Sequence, residues 1–153
     1  MPRLKLPEKK DQFHKMKYYA ILDTNVLVSA MLKSGSVPDQ LAAEAMYGDI
    51  IPVLNDEILA EYEDVLRRPK FKFDERTVRV FLEELKRRAV FIDAGPIDEI
   101  LPDPKDIVFY AVLMEKRKED DAYLVTGNLK HFPLKTYIVT PKEMLDILSE
   151  GQD

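Results

Sequence analysis

A continuous apolar run that ends in three polar residues constrains the fold of this chain more than any other feature. Residues 18–22 are all apolar or aromatic and lead directly into Asp23, Thr24 and Asn25. A short apolar run bounded by polar residues predicts a strand buried on both faces, as in parallel sheets. The longer run over 26–32 predicts a helix. Asp23 is therefore expected at the carboxyl end of a buried strand, where open α/β sheets bind ligands. The alternative is that Asp23, Thr24 or Asn25 only caps the helix.

The rest of the chain alternates between predicted strands and predicted helices. Further strands are predicted at 50–54, 90–92, 123–126 and 136–139. Pro52 favours an edge position or a strand start for the second strand. A strand is also the alternative for the apolar residues 107–114, but the preceding Asp103-Pro104 favours a buried helix. The order predicts an α/β fold, with a mostly parallel central sheet of four or five strands between two layers of helices.

Length and composition predict one domain and exclude several classes of site. The 153 residues suit a loose, charged extension over 1–16 followed by a folded domain over 17–150. The absence of cysteine excludes disulfides, zinc-thiolate sites and thiol nucleophiles. His14 and His131 are too few for a histidine-rich metal site. No apolar run approaches the length of a membrane span and the N-terminus lacks a secretory signal, so a cytoplasmic protein is the simplest interpretation.

Four acids and one amide fall at positions that can face a single edge of the predicted sheet. They are Asp23, Glu61, Asp103, Asp106 and Asn128. Converging carboxylates repel one another unless a cation lies between them, and hard oxygen ligands select Mg²⁺ or Mn²⁺. Such a site suits cleavage of phosphodiesters by a metal-activated water. The alternatives are a helix cap for Asp103, a first-turn acid for Asp106 and a surface acid for Glu61.

The charge distribution leaves nucleic-acid binding open. The net charge of −5 does not favour it, but basic residues cluster around 67–72, 86–88 and 116–118. Each cluster alone is typical of a solvated helix end. Together with an acidic centre, they suit contacts with a phosphodiester backbone, for which the candidates are Lys33, Arg67 and Arg68.

Four segments taken in order resemble the PIN domain family. These are residues 18–30, which contain Asp23-Thr24-Asn25; residues 58–66, which contain Glu61; the segment Asp103-Pro104-Lys105-Asp106; and residues 121–128. The resemblance covers about residues 16–149 and is greatest to PIN proteins described as toxin components of toxin–antitoxin systems. It implies a Rossmann-like sheet, a Mg²⁺- or Mn²⁺-dependent ribonuclease, inhibition by a partner antitoxin, and a homodimer.

The resemblance also assigns roles to individual residues. It places Asp23, Glu61 and Asp106 on the family's three core acids and makes Asp103 an accessory acid. Asn128 falls where many members carry a fourth aspartate, and because an amide adds no charge, one or two bound metals remain possible. Supporting roles fall to Thr24, Asn25 and Thr126, the first two orienting Asp23 and metal-bound water.

Two other functions compete with the nuclease. A PIN fold with weak or no catalysis, acting through RNA or protein contacts, is favoured by Asn128. A phospho-acceptor domain also uses an aspartate at a strand end, but this chain lacks a nearby acidic pair before Asp23. A nucleotide-binding dehydrogenase is disfavoured because no G-x-G-x-x-G sequence follows the first strand.

Overall fold

The computed structural model describes residues 16–151, which form a five-stranded sheet with helices around it. The strand order is β3-β2-β1-β4-β5, and every neighbouring pair is parallel. The predicted α/β fold is therefore confirmed. Residues 1–15 of the predicted extension lie outside the described part of the chain. The strands are β1 (Tyr18–Leu22), β2 (Ile50–Leu54), β3 (Val90–Phe91), β4 (Ala122–Val125) and β5 (Ile138–Val139).

Six α-helices connect or follow the strands. They are α1 (Thr24–Leu32), α2 (Val37–Tyr47), α3 (Asp56–Leu66), α4 (Glu75–Arg88), α5 (Ile107–Lys116) and α6 (Pro141–Gly151). Short 3₁₀ turns cover Pro69–Phe71, Pro104–Asp106 and Leu129–His131. The apolar residues after Asp103-Pro104 thus form a helix rather than a strand. Within residues 16–151, no helix combines the length and the apolar character needed to cross a membrane.

Polar side chains cap the N-termini of three of these helices. Ser36 accepts a hydrogen bond from the backbone N–H of Asp39 at 3.3 Å, and Asn55 accepts one from Ile58 at 2.8 Å. Asp74 accepts one from Thr77 at 3.0 Å. Each bond satisfies a backbone N–H that has no partner within its own helix. The Asn55 cap fixes the start of α3, the helix that carries Glu61.

The expectation that Pro52 marks an edge or the start of a strand is wrong. Pro52 is the third residue of β2, and β2 lies between β1 and β3. The pairing explains why a proline is tolerated there. β3 pairs with β2 only from Val53 onward, so Pro52 precedes the stretch that hydrogen-bonds to β3. The missing N–H of proline therefore costs no bond to that neighbour.

The centre of the sheet places two strand ends side by side. Leu22 and Val125, the last residues of β1 and β4, are in register, and the Asp23 N–H donates to the Val125 carbonyl oxygen at 2.9 Å. The chain leaves β1 towards β2 on one side, whereas β4 lies on the other side. Such a point, where the strand order reverses, opens a crevice at the carboxyl edge of an α/β sheet.

Candidate functional site

The Asp23 carboxylate is buried and held by two neighbouring side chains. The Asp23 residue is 5 % exposed and makes no side-chain capping bond to α1. Its Oδ2 accepts hydrogen bonds from the Thr126 hydroxyl at 2.7 Å and from the Asn25 amide at 3.1 Å. The Thr126 oxygen in turn accepts from the backbone N–H of Asn128 at 2.9 Å. The side chain of Asp23 thus bonds to Thr126, the residue after β4, and does not cap α1.

Asn25 joins the ends of the two central strands. Its amide nitrogen donates to Asp23, and its Oδ1 accepts from the backbone N–H of Gly127 at 3.1 Å. A Cβ atom at position 127 would lie 3.3 Å from that oxygen, a close contact. The absence of a side chain at Gly127 therefore gives the Asn25 amide the room it needs to reach both partners.

Tyr62, the residue after Glu61, holds Glu61 near the end of β1. The buried Tyr62 hydroxyl donates to the carbonyl oxygen of Leu22, which holds α3 against the end of β1. Glu61 is half-buried and accepts a hydrogen bond from the hydroxyl of Thr24. Burial, together with the charges of Asp23 and Glu61, raises the pKa of Tyr62 well above its usual value, so the phenol remains a hydrogen-bond donor.

Asp103 and Asp106 occupy the turn before α5 and differ in their partners. Asp103 accepts a hydrogen bond from the backbone N–H of Lys105 at 3.0 Å, so it does cap this turn. Asp106 is 9 % exposed, and its Oδ2 lies 3.2 Å from Nδ1 of His131. Within residues 16–151 that buried oxygen has no hydrogen-bond partner. A buried carboxylate oxygen without a partner is costly, and such atoms are typical of functional sites.

The carboxylates resist being ionised together. Burial raises the pKa of Asp23 from 3.8 to about 6, and the charges of Asp106 and Glu61 add to the rise, whereas the Thr126 hydrogen bond opposes it. Burial also raises the pKa of Asp106, helped by the charges of Asp103 and Glu61 and opposed by His131. These mutual effects mean that Asp23, Glu61 and Asp106 lie within electrostatic reach of one another.

Four predicted residues are not drawn into this cluster through their side chains. Asn128 is exposed and contributes its backbone N–H. Lys33 follows the last residue of α1, and Arg67 and Arg68 follow the last residue of α3, whereas Asp23 and Thr24 lie at the start of α1. Arg67 pairs with Glu75 at 2.8 Å and Arg68 with Asp64 at 3.1 Å.

Sequence reasoning missed three residues that flank the acids. His131 contacts Asp106, and the exposed lysines Lys105 and Lys130 precede Asp106 and His131 directly in the chain. Their position in the sequence could have indicated them, because Lys130 and His131 come soon after the end of β4, just as Asn25 comes soon after the end of β1. The sequence was considered only for a histidine-rich metal site, so the contact of the single residue His131 with Asp106 was not predicted.

A family model for the PIN domain matches residues 19–130. The chain belongs to the PIN domain family. A search of curated proteins and a search of solved structures each gave no match. PIN domains are generally nucleases, so membership supports an enzyme that hydrolyses nucleic acid. The match includes every acid of the cluster and ends one residue before His131.

The donors of this PIN domain suit a divalent cation without forming a complete binding site. PIN nucleases typically use divalent metals. Here carboxylate oxygens that repel one another lie at one sheet edge, and one buried oxygen of Asp106 has no hydrogen-bond partner in the described chain. Hard oxygen donors of this kind select Mg²⁺ or Mn²⁺. Across residues 16–151, however, no three acidic, histidine or cysteine side chains are grouped closely enough to hold a metal. The donor chemistry therefore fits, while the coordination shell is not preassembled.

Proposed function

We propose that this PIN domain is a metal-dependent endoribonuclease and the toxin of a toxin–antitoxin pair, acting in the cytoplasm. The observation that carries the proposal is that Asp23 and Asp106 are buried and that these two acids and Glu61 repel one another electrostatically. Burial disfavours the charged forms of Asp23 and Asp106, so the folded state holds these two acids in place at a cost in free energy. Buried acids with raised pKa values in a cleft are typical of catalytic sites.

Each side chain has a defined part in the proposed reaction. Asp23, Glu61 and Asp106 would hold Mg²⁺ or Mn²⁺, with Asp103 and Asn128 as accessory donors. A divalent cation there supplies Lewis-acid activation of water and neutralises charge on the phosphate. Thr126 and Asn25 fix the Asp23 carboxylate through Oδ2, and Thr24 fixes Glu61. Because the pKa of Asp23 is about 6, this ligand is mostly ionised at neutral pH.

Cleavage of single-stranded RNA tests the activity directly. Purified protein is incubated with a labelled RNA of mixed sequence in Mg²⁺, in Mn²⁺ or in EDTA. We expect internal cleavage with either metal and none in EDTA, because an oxygen-ligated cation must complete the acidic site. Cleavage that persists in EDTA, with the protein free of metal by elemental analysis, would contradict the proposed mechanism.

A second candidate function is a PIN module that binds RNA or protein without catalysis. Two observations favour it. The described chain contains no preassembled group of three ligands, and position 128 carries an exposed amide in place of an acid. Calorimetry with Mn²⁺ separates the two functions, since the binding module predicts no metal binding even at saturating Mn²⁺. A measurable affinity for the metal would remove this candidate.

The lysines beside the acids are better candidates for backbone contacts than the predicted Lys33, Arg67 and Arg68. Lys130→Glu should weaken RNA binding and reduce the slope of log K against log salt by about one, because one phosphate contact is lost. Lys33→Glu makes the same change of charge at the far end of α1 and should alter the slope less. Fluorescence anisotropy with a labelled RNA at several salt concentrations measures both slopes. If Lys33→Glu changes the salt slope as much as Lys130→Glu or more, Lys33 would again be the better candidate for contact with the RNA backbone.

The antitoxin and the homodimer are proposed from the resemblance. A groove of about 730 Å³ between α1, α2 and the segment around α4 supports a protein partner, since its lining is largely apolar. Tyr47 and Val80 on this groove are 74 % and 52 % exposed. If the toxin role is correct, induced expression of the wild type should arrest bacterial growth and Asp23→Asn should not. Equal growth of both strains at equal protein levels would argue against a toxin.

A further inference from the structure

Two potential metal ligands of different chemistry meet between the start of α5 and the turn after β4. Oδ2 of Asp106 and Nδ1 of His131 are 3.2 Å apart. Asp106 is fixed at the start of a buried helix, and His131 ends a 3₁₀ turn and is partly exposed. One atom of this pair is therefore buried and rigidly placed, and the other lies on the side open to solvent.

The contact is short, but it is not among the well-formed hydrogen bonds of residues 16–151. The separation alone is within hydrogen-bonding range, yet Oδ2 of Asp106 has no hydrogen-bond partner anywhere in residues 16–151. Two ligands at right angles on one octahedral cation, each at about 2.1 Å, lie about 3.0 Å apart. The observed separation is close to that value. In the tautomer that carries its hydrogen on Nε2, Nδ1 of His131 presents a lone pair that can bind such a cation.

We infer that His131 supplies a nitrogen ligand beside Asp106, and that the site consequently favours Mn²⁺ over Mg²⁺. This inference rests on the proposed metal site and specifies which metal it takes. Carboxylate and water ligands suit Mg²⁺, whereas imidazole ligands favour transition metals. Mg²⁺ also gives up its water reluctantly and demands near-ideal octahedral geometry. A mixed oxygen and nitrogen set that is only partly preassembled therefore suits Mn²⁺ better.

Metal affinity without RNA tests the inference independently of catalysis. Isothermal titration calorimetry with MnCl₂ and with MgCl₂ is carried out on wild type, His131→Phe and Leu134→Ala. Phenylalanine keeps a ring at position 131 but removes the nitrogen. Leu134 is a matched control because it lies in the same loop and is 99 % exposed. We expect His131→Phe to weaken Mn²⁺ binding at least about tenfold, since even outer-shell changes cost roughly 10–100-fold.

The comparison between the two metals separates a ligand from a residue that only supports the fold. Mg²⁺ affinity should change much less than Mn²⁺ affinity in His131→Phe, and Leu134→Ala should match wild type for both. Equal weakening for both metals would overturn the inference, because it would indicate a general disturbance of the acids. No Mn²⁺ binding by folded wild type would overturn it together with the proposed metal site.

A spectroscopic measurement on the wild type avoids any variant that fails to fold. Pulsed electron paramagnetic resonance of the Mn²⁺ complex should detect hyperfine coupling to a directly bound ¹⁴N nucleus. Mn²⁺ bound without such coupling would overturn the inference. Nitrogen coupling in a protein that cleaves no RNA would support the ligand assignment and reject the nuclease, so the two failures are distinguishable.

Discussion

Asp23→Asn is expected to reduce metal-dependent RNA cleavage by at least about 100-fold, since loss of a mere outer-shell partner already costs roughly 10–100-fold. Asparagine has nearly the shape of aspartate and keeps an oxygen that can accept from Thr126 and Asn25, the two donors to Oδ2. The substitution removes the negative charge while the geometry is retained. The cleavage rate per folded molecule, measured with Mg²⁺ and with Mn²⁺, checks this expectation.

The same variant is expected to be more stable than wild type in the absence of metal. Asp23 is buried and is repelled by Asp106 and Glu61, so its neutral form fits the fold better than its charged form. Reduced activity together with increased stability would identify Asp23 as a functional residue and not a structural one. Glu83→Gln is a suitable control, because Glu83 is an exposed acid of α4 that lies outside the acidic cluster. Retained cleavage in Asp23→Asn would mean that the site is wrongly placed or that the activity comes from a contaminant.

The second large effect is on the pH dependence of stability in EDTA. The pKa of Asp23 is about 6 in the folded chain against 3.8 for the unperturbed group, so the folded state binds the proton more tightly. Stability from this group is therefore greatest near pH 4 and below, and is lost as the pH rises through 6. The difference between the two pKa values corresponds to about 3 kcal/mol.

Comparison with Asp23→Asn isolates this contribution from the other titrating groups. The free energy of unfolding of both proteins is measured by urea denaturation at pH 4, 5, 6 and 7. The variant should gain stability relative to wild type as the pH rises, from about 0.5 kcal/mol at pH 4 to at most about 3 kcal/mol at pH 7. A constant difference across this range would show that Asp23 titrates as it does in the unfolded chain. Adding Mn²⁺ should reduce the difference at pH 7, because a metal stabilises the folded state that binds it.

The sequence predicts the sheet well because its strands are short apolar runs with polar residues at their ends. Residues 18–22 suit a central strand, in which the last three of them are fully buried, and Asp23 then lies at the carboxyl edge. Asp103-Pro104 likewise distinguishes a helix from a strand for residues 107–114. In each case local chemistry and the burial pattern agree.

The contacts around the acids depend on tertiary packing and were harder to predict. Glu61 has the pattern of a surface acid, and only the Tyr62 hydrogen bond to the end of β1 brings it beside Thr24. Whether Asp23 caps α1 or turns towards β4 depends on Thr126, 103 residues later in the chain. His131 approaches Asp106 through the path of a loop that no periodicity describes. The Pro52 rule failed because it assumes that the neighbouring strand pairs along its whole length.

The two outermost strands have a consequence for self-association. β3 and β5 are each two residues long, so the sheet presents very little unpaired backbone at either side. Short edge strands are one way in which proteins prevent another chain from adding to the sheet. A homodimer of this chain would therefore not form a continuous sheet across two copies. Its contacts would come from side chains on helices and loops, and they would be sensitive to surface substitutions and insensitive to changes at the sheet edges.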